Sequence, residues 1–92
     1  MGIQWLFDVI EDRKKNPIEK SYTSSLFSAG LPRIAQKVGE EGTEVVVAAL
    51  AQDDERLIEE VADLTYHTLV LLSARHIAPA KILAELEKRH RK

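Results

Sequence analysis

Ninety-two residues make one small domain, expected to span positions 1–92, and a chain of this size buries only about 60–65% of its unfolded surface, so a lone monomer would be marginal. With 45% apolar and 30% charged residues and no cysteine, the composition excludes disordered and membranous classes, disulfides, zinc ribbons and thiol nucleophiles. A formal charge of −2 argues against broad attraction to nucleic acid.

The longest apolar run, Val45 to Ala51, falls far short of the roughly 20 residues that a bilayer span needs. The N-terminal stretch shows neither the charged start nor the cleavage site of a signal peptide. A cytoplasmic location is therefore expected, with neither membrane nor nucleic acid as partner. Basic residues gather at Arg13-Lys14-Lys15 and in the tail from Lys88 to Lys92. The tail reads as a solvated helix end, where cations meet the negative pole of the dipole.

Along the chain the pattern predicts an all-α bundle of four helices with one irregular stretch. Ile3, Leu6, Phe7 and Ile10 recur at helical spacing and give a first helix that ends before Asn16-Pro17. Residues 16–25 are rich in Ser, Thr, Asn and Pro without a period, and are expected to form a loop. Ser25 to Ala29 has room for a single turn, stopped by Gly30. A second helix starts at Pro32, a residue suited to a first helical position, and runs to about Ala51. Asp53 is a good N-cap for a third over about 54–75, and Pro79 opens a fourth with Ile82, Leu83 and Leu86 on its apolar face. Val45-Val46-Val47 is β-branched but lies among helix formers, so no strand is expected.

The chemistry lies in the second and third helices, which carry Glu40, Glu41 and Glu44, then Glu59, Glu60 and Asp63. At 100° per residue Glu41 and Glu44 share a face, as do Glu60 and Asp63. Geometry alone also admits Glu40 beside Glu44, but the i, i+3 spacing of the third helix favours Glu41. The short turn at Gln52-Asp53 makes the two helices antiparallel neighbours and brings four carboxylates together near the middle of the hairpin. Such a cluster is repulsive until a cation relieves it, and hard oxygen ligands suit Mg²⁺.

A solvated acidic face is the plainer reading of acids on helices. Two features oppose it. The positions four residues after Glu44, Glu60 and Asp63 hold Ala48, Leu64 and His67, so basic partners are mostly missing there. The surroundings are also apolar: Val38, Val45 to Leu50, Leu57, Ile58, Val61, Leu64 and Leu69. Helices apolar nearly all round are buried ones, and buried acids need a partner. Lys37, two turns before Glu44, is expected to contact phosphate. His67, one turn after Asp63, reads first as a satisfied core histidine and second as a substrate contact.

Glu-Glu-x-x-Glu at 40–44 and Glu-x-x-Asp at 60–63, with fifteen residues between Glu44 and Glu60, resembles the signature of the all-α, MazG-like nucleotide pyrophosphohydrolases. Leu6 to Arg13, Ser21-Tyr22-Thr23 with Leu26-Phe27, Lys37 to Glu41, Ala62-Asp63-Leu64 with Tyr66-His67, and Ile82 to Glu87 are similar to the phosphoribosyl-ATP pyrophosphatase family. The resemblance implies a four-helix MazG-like bundle, a homodimer, and Mg²⁺ held by Glu41, Glu44, Glu60 and Asp63, with Glu40 as a further ligand or as the base. The implied reaction is hydrolysis of phosphoribosyl-ATP between its α and β phosphates, the second step of histidine biosynthesis. A cyclohydrolase domain often fused to this family needs zinc-binding cysteines, so this chain is expected to perform one step only.

Substrate contacts are expected from Lys37, from Arg13 and Lys14 toward the phosphates, and from the hydroxyls of Ser21, Tyr22 and Thr23. Solvation is an equal reading for Arg13 and Lys14, and loop capping for the hydroxyls. Gly42 sits in mid-helix where Ala is expected, at a cost of roughly 1 kcal/mol; close helix packing is the candidate reason. Two alternatives remain: a house-cleaning pyrophosphatase for nucleoside triphosphates, which shares the metal site, and a non-catalytic helical interaction module with solvated acids. A di-iron bundle is set aside, because those sites use Glu-x-x-His where this chain has Glu-x-x-Asp.

Overall fold

The computed structural model describes residues 2–91; Met1 and Lys92, the ends of the expected domain and the last residue of the basic tail, lie outside the described residues. These fold as α1 (Ile3–Lys15), α2 (Tyr22–Ala29), α3 (Leu31–Ala51), α4 (Asp54–Ala74) and α5 (Pro79–His90), with no strand among the described residues. No helix among them is long and apolar enough to cross a membrane.

Five helices thus replace the four expected. The additional one, α2, begins at Tyr22, inside the stretch expected to be a loop. Lys20, at φ 73, turns the chain through the left-handed region, and Ser21 then caps the helix by accepting the Ser24 amide at 3.2 Å. Leu26 secures the helix by its burial.

The other boundaries follow their local signals. Gly30, at φ 98, ends α2 and starts α3, with Pro32 in the first turn. The Asp53 carboxylate accepts the Arg56 amide at 2.9 Å and caps α4, whose first turn also holds Asp54 and Glu55. At its far end the Ile77 amide donates to the Leu72 carbonyl and the His76 amide to that of Ser73, at 2.9 and 3.0 Å. That is a Schellman cap, with His76 at φ 60 in the place glycine usually takes.

α3 and α4 form the antiparallel hairpin and share the most extensive interface; α1 packs on α4, α2 bridges α1 and α3, and α5 touches α1. The core lies where α1, α2, α3 and α4 meet, and consists of Phe7, Ile10, Leu26, Ile34, Leu69 and Val70. Ile10, Ile34 and Val70 are almost wholly buried, each contributing about 1.5–3 kcal/mol. A polar tether fastens α1 to the end of α4: Ser73 donates its hydroxyl to Glu11, and Lys14 reaches the Ser73 carbonyl at 2.8 Å and Glu11 at 2.9 Å.

The hairpin is not buried all round as its apolar pattern predicts. Val46, Val47, Leu50, Ile58 and Val61 face outward, and Leu50 is 83% exposed. α2 and α4 cover only one stripe of α3, so Ile34, Glu41 and Ala48 alone are buried on it. Nor is Gly42 explained by close packing, since a Cβ there would meet nothing within 4 Å.

Candidate active site

The buried stripe of α3 and the facing stripe of α4 meet at acids. Glu41 and Glu60 are each only 5% exposed, whereas Asp63 stands open to solvent. One carboxylate oxygen from each of these three lies within 4.8 Å of the others. Glu44 completes the group by hydrogen-bonding to Glu60 and Glu41, which push its carboxyl up to about 7, because it shares its proton with two neighbouring carboxylates. The i, i+3 pairs read from the sequence therefore come together. A small cleft of about 210 Å³, walled by Glu44, Val47, Gln52, Arg56 and Glu60, opens beside them.

Basic residues do accompany two of these acids, but from the N-terminal side, one turn before Glu41 and Glu60. Lys37 Nζ lies 3.2 Å from Glu41 Oε1 and 3.6 Å from Glu40 Oε1. Arg56 Nη2 lies 3.2 Å from Glu60 Oε1, and its Nη1 pairs with Glu59. Looking four residues ahead of the acids misses both cations; looking four residues back from Glu41 and Glu60 finds them. Burial pushes the Glu41 carboxyl up, but the Lys37 ammonium and a hydrogen bond from Glu44 outweigh it and leave Glu41 below its usual range. The same pairing with Glu41 raises Lys37.

Even so, Glu41 keeps its Oε2 buried without a hydrogen-bond partner. A buried carboxylate oxygen left unpaired is costly, and it faces a group of acids whose geometry suits a hard cation. These residues fit a divalent metal. Glu40 stands apart from the group, exposed and engaged by Lys37, Arg33 at 3.6 Å and Gln36 at 3.0 Å.

The remaining candidates divide. Lys37 on α3 and His67 on α4 adjoin the carboxylates, and Tyr22 and Thr23 of α2 reach α4 at His67 and Tyr66. His67 is buried, with Nδ1 at 2.7 Å from the Asp63 carbonyl and Nε2 at 2.9 Å from the Tyr22 hydroxyl. A carbonyl oxygen only accepts, so Nδ1 carries the proton in the neutral ring and Tyr22 donates to Nε2. Thr23 hydrogen-bonds Tyr66, a residue the sequence did not mark as part of the site. Arg13 and Lys14 lie elsewhere. Lys14 is held at Ser73, ten residues along α4 from Asp63, a helical rise of about 15 Å. Arg13 pairs with Asp12.

The profile of the family described as phosphoribosyl-ATP pyrophosphohydrolase matches residues 4–90. A phosphoribosyl-ATP pyrophosphatase of Clostridium botulinum (strain Kyoto / Type A2) is 53% identical over 90 residues, covering 98% of this chain and 82% of the relative. One from Lacticaseibacillus casei (strain BL23) is 53% identical over 91 residues, covering 99% and 83%. One from Pyrobaculum calidifontis is 49% identical over 87 residues, covering 95% and 93%. With its profile matched almost from end to end and its paired acids gathered on one hairpin, the chain belongs to the phosphoribosyl-ATP pyrophosphohydrolase family.

Proposed function

We infer that this protein hydrolyses phosphoribosyl-ATP to phosphoribosyl-AMP and pyrophosphate, the second step of histidine biosynthesis, with Mg²⁺ as cofactor. Family membership supports the reaction. The observation that carries the site is the unpartnered, buried Oε2 of Glu41 within a group of clustered acids. Glu41, Glu44, Glu60 and Asp63 would hold the metal, which supplies charge neutralisation for the phosphates and a more acidic water. Lys37 and Arg56 flank the acids and offset the negative charge of an incoming phosphate chain. Glu40, exposed beside Glu41, is the group left to accept the proton of the attacking water.

The working unit is a homodimer, one domain per chain, in which the MazG-like bundle is completed by the second copy. The exposed apolar side chains of the hairpin and the apolar groove lined by Ile3, Leu64, Leu72, Ile82, Leu83 and Leu86 support this, since so small a core leaves a monomer marginal. Light scattering that gives a stable 10.4 kDa species at micromolar concentration would refute it.

The reaction is tested by pyrophosphate release from phosphoribosyl-ATP, ATP and deoxynucleoside triphosphates, with Mg²⁺ and with EDTA. Turnover confined to phosphoribosyl-ATP and abolished by EDTA is expected. Comparable turnover of simple triphosphates would replace the reading with that of a house-cleaning enzyme.

A further inference from the structure

The hydroxyls of the Ser21-Tyr22-Thr23 stretch are all engaged within the chain. Ser21 caps α2, Tyr22 donates to His67, and Thr23 pairs with Tyr66. The Tyr22 hydroxyl is thus spent as a donor and the Thr23 hydroxyl is paired, while the Ser21 oxygen accepts at its cap. What this stretch offers outward is a ring: Tyr22 remains 51% exposed. Behind it the Tyr66 ring is stacked at 6.2 Å and 28°, and the His67 ring meets it edge-on at 5.7 Å and 78°.

An exposed tyrosine ring normally explores several rotamers. This one is fixed at its tip by a hydrogen bond to a buried imidazole, and that imidazole is fixed in turn by the Asp63 carbonyl. The ring therefore stands one imidazole's breadth from the backbone of an acid in the carboxylate group. The other aromatic residues do not compete for this place. Phe7 is buried, Phe27 and Tyr66 pack against the core, and Trp5 belongs to the first turns of α1. A pinned, half-exposed ring is a surface organised before any ligand arrives, and rigidity of this kind lowers the entropic cost of binding.

We propose that the outward face of Tyr22 is the platform on which the purine of the substrate stacks while its phosphates lie at the carboxylates. The proposal rests on the functional reading above and adds the residue that recognises the base. His67 is then a positioning residue, acting through Tyr22 and not on the substrate. The contact is one of π-faces, so it recognises purine without reading its edges.

The test compares Tyr22→Leu with Tyr22→Phe. Tyr22→Leu removes the ring and should raise KM for phosphoribosyl-ATP about five- to hundredfold, the range of a lost base–aromatic stack, with the loss falling on KM and not on kcat. AMP should weaken as a competitive inhibitor by the same factor, while inhibition by pyrophosphate stays put. Tyr22→Phe keeps the ring but releases its tip, and should fall between Tyr22→Leu and the parent.

A second measurement does not depend on how Tyr22→Leu folds. In Tyr22→Trp, AMP should quench the added indole emission and ribose 5-phosphate should not. Equal KM values for Tyr22→Leu and the parent, equal weakening of AMP and pyrophosphate, or no AMP-dependent quenching would each overturn the platform. A parent that fails to turn over phosphoribosyl-ATP would instead overturn the functional reading, and AMP binding to the Leu and Trp variants would still decide the platform.

Discussion

Replacing Lys37 by Met keeps an apolar stem of similar length and deletes the ammonium that lies 3.2 Å from the Glu41 carboxylate. Two unit charges at that separation attract by about 5 kcal/mol if the effective dielectric constant is about 20. Some of this is already offset by the hydration Lys37 gives up, its side chain being 18% exposed and that of Glu41 7%. Removing one partner of a buried pair costs about 3–5 kcal/mol. The low end applies here, because Glu44 also hydrogen-bonds to Glu41 and takes up part of the lost role. A loss of about 3 kcal/mol would lower the Tm of a domain this small by roughly 12–24 °C. Adding Glu41→Gln to the Lys37→Met variant should recover most of it, since no charge is then left buried. Excess Mg²⁺ should recover much of it in the single variant. Urea unfolding followed by circular dichroism, at one protein concentration, in EDTA and in Mg²⁺, measures all of these. A single variant that unfolds at the parent's midpoint in EDTA would refute the claim that this pair holds the metal-free site together. Failure of Glu41→Gln to relieve the loss would show that Lys37 acts through some other contact.

Glu41→Gln, Glu44→Gln, Glu60→Gln and Asp63→Asn should each weaken Mg²⁺ binding and cut turnover about 100-fold or more. Glu40→Gln should keep most of the binding while kcat falls; calorimetry with kinetics on all five variants decides, and the reverse pattern for positions 40 and 41 would exchange their roles. The Ser73 hydroxyl foremost, against burial and with the help of Lys14, holds the Glu11 carboxyl below its ordinary 4.5. Its contribution to stability is present above that value and is lost as pH falls through the lowered folded value, so Glu11→Gln should flatten the loss of stability below about pH 4.5. Gly42→Ala should stabilise the protein by about 0.5–1 kcal/mol, because a Cβ there meets nothing within 4 Å. Destabilisation, measured by the same urea curves, would mean that another surface approaches α3 at that point.

The helices that could be read from the sequence are those with their own punctuation. Pro17 after α1, Pro32 and Pro79 in the first turns of α3 and α5, and Asp53 before α4 act within a few residues of themselves, so local chemistry suffices to place them. The pairing of acids was legible for the same reason: i, i+3 spacing is a property of one helix, and the two-residue turn supplies the rest. Which acids would be buried was not. In each pair the first acid, Glu41 or Glu60, is buried and the second, Glu44 or Asp63, is open, because neighbouring helices cover one side of α3 and of α4 and leave the other to solvent.

α2 escaped sequence reading for a related reason. Eight residues, Tyr22–Ala29, with three Ser or Thr among their first four, fall below the length at which an isolated helix is stable, and their propensities are poor. The Ser21 cap was visible as a residue type, but a cap does not sustain a helix by itself. What sustains this one is non-local: Leu26 in the core, Tyr22 on His67 and Thr23 on Tyr66, contacts that span more than forty residues of chain. The same contacts take the Tyr22 and Thr23 hydroxyls away from solvent, and so change what the stretch can do. Read as a loop, it offers hydroxyls to a phosphate. Folded as a helix docked on α4, it holds an aromatic face beside the carboxylates. The local sequence drew attention to the residues there, and the tertiary contacts decide which part of each one faces outward.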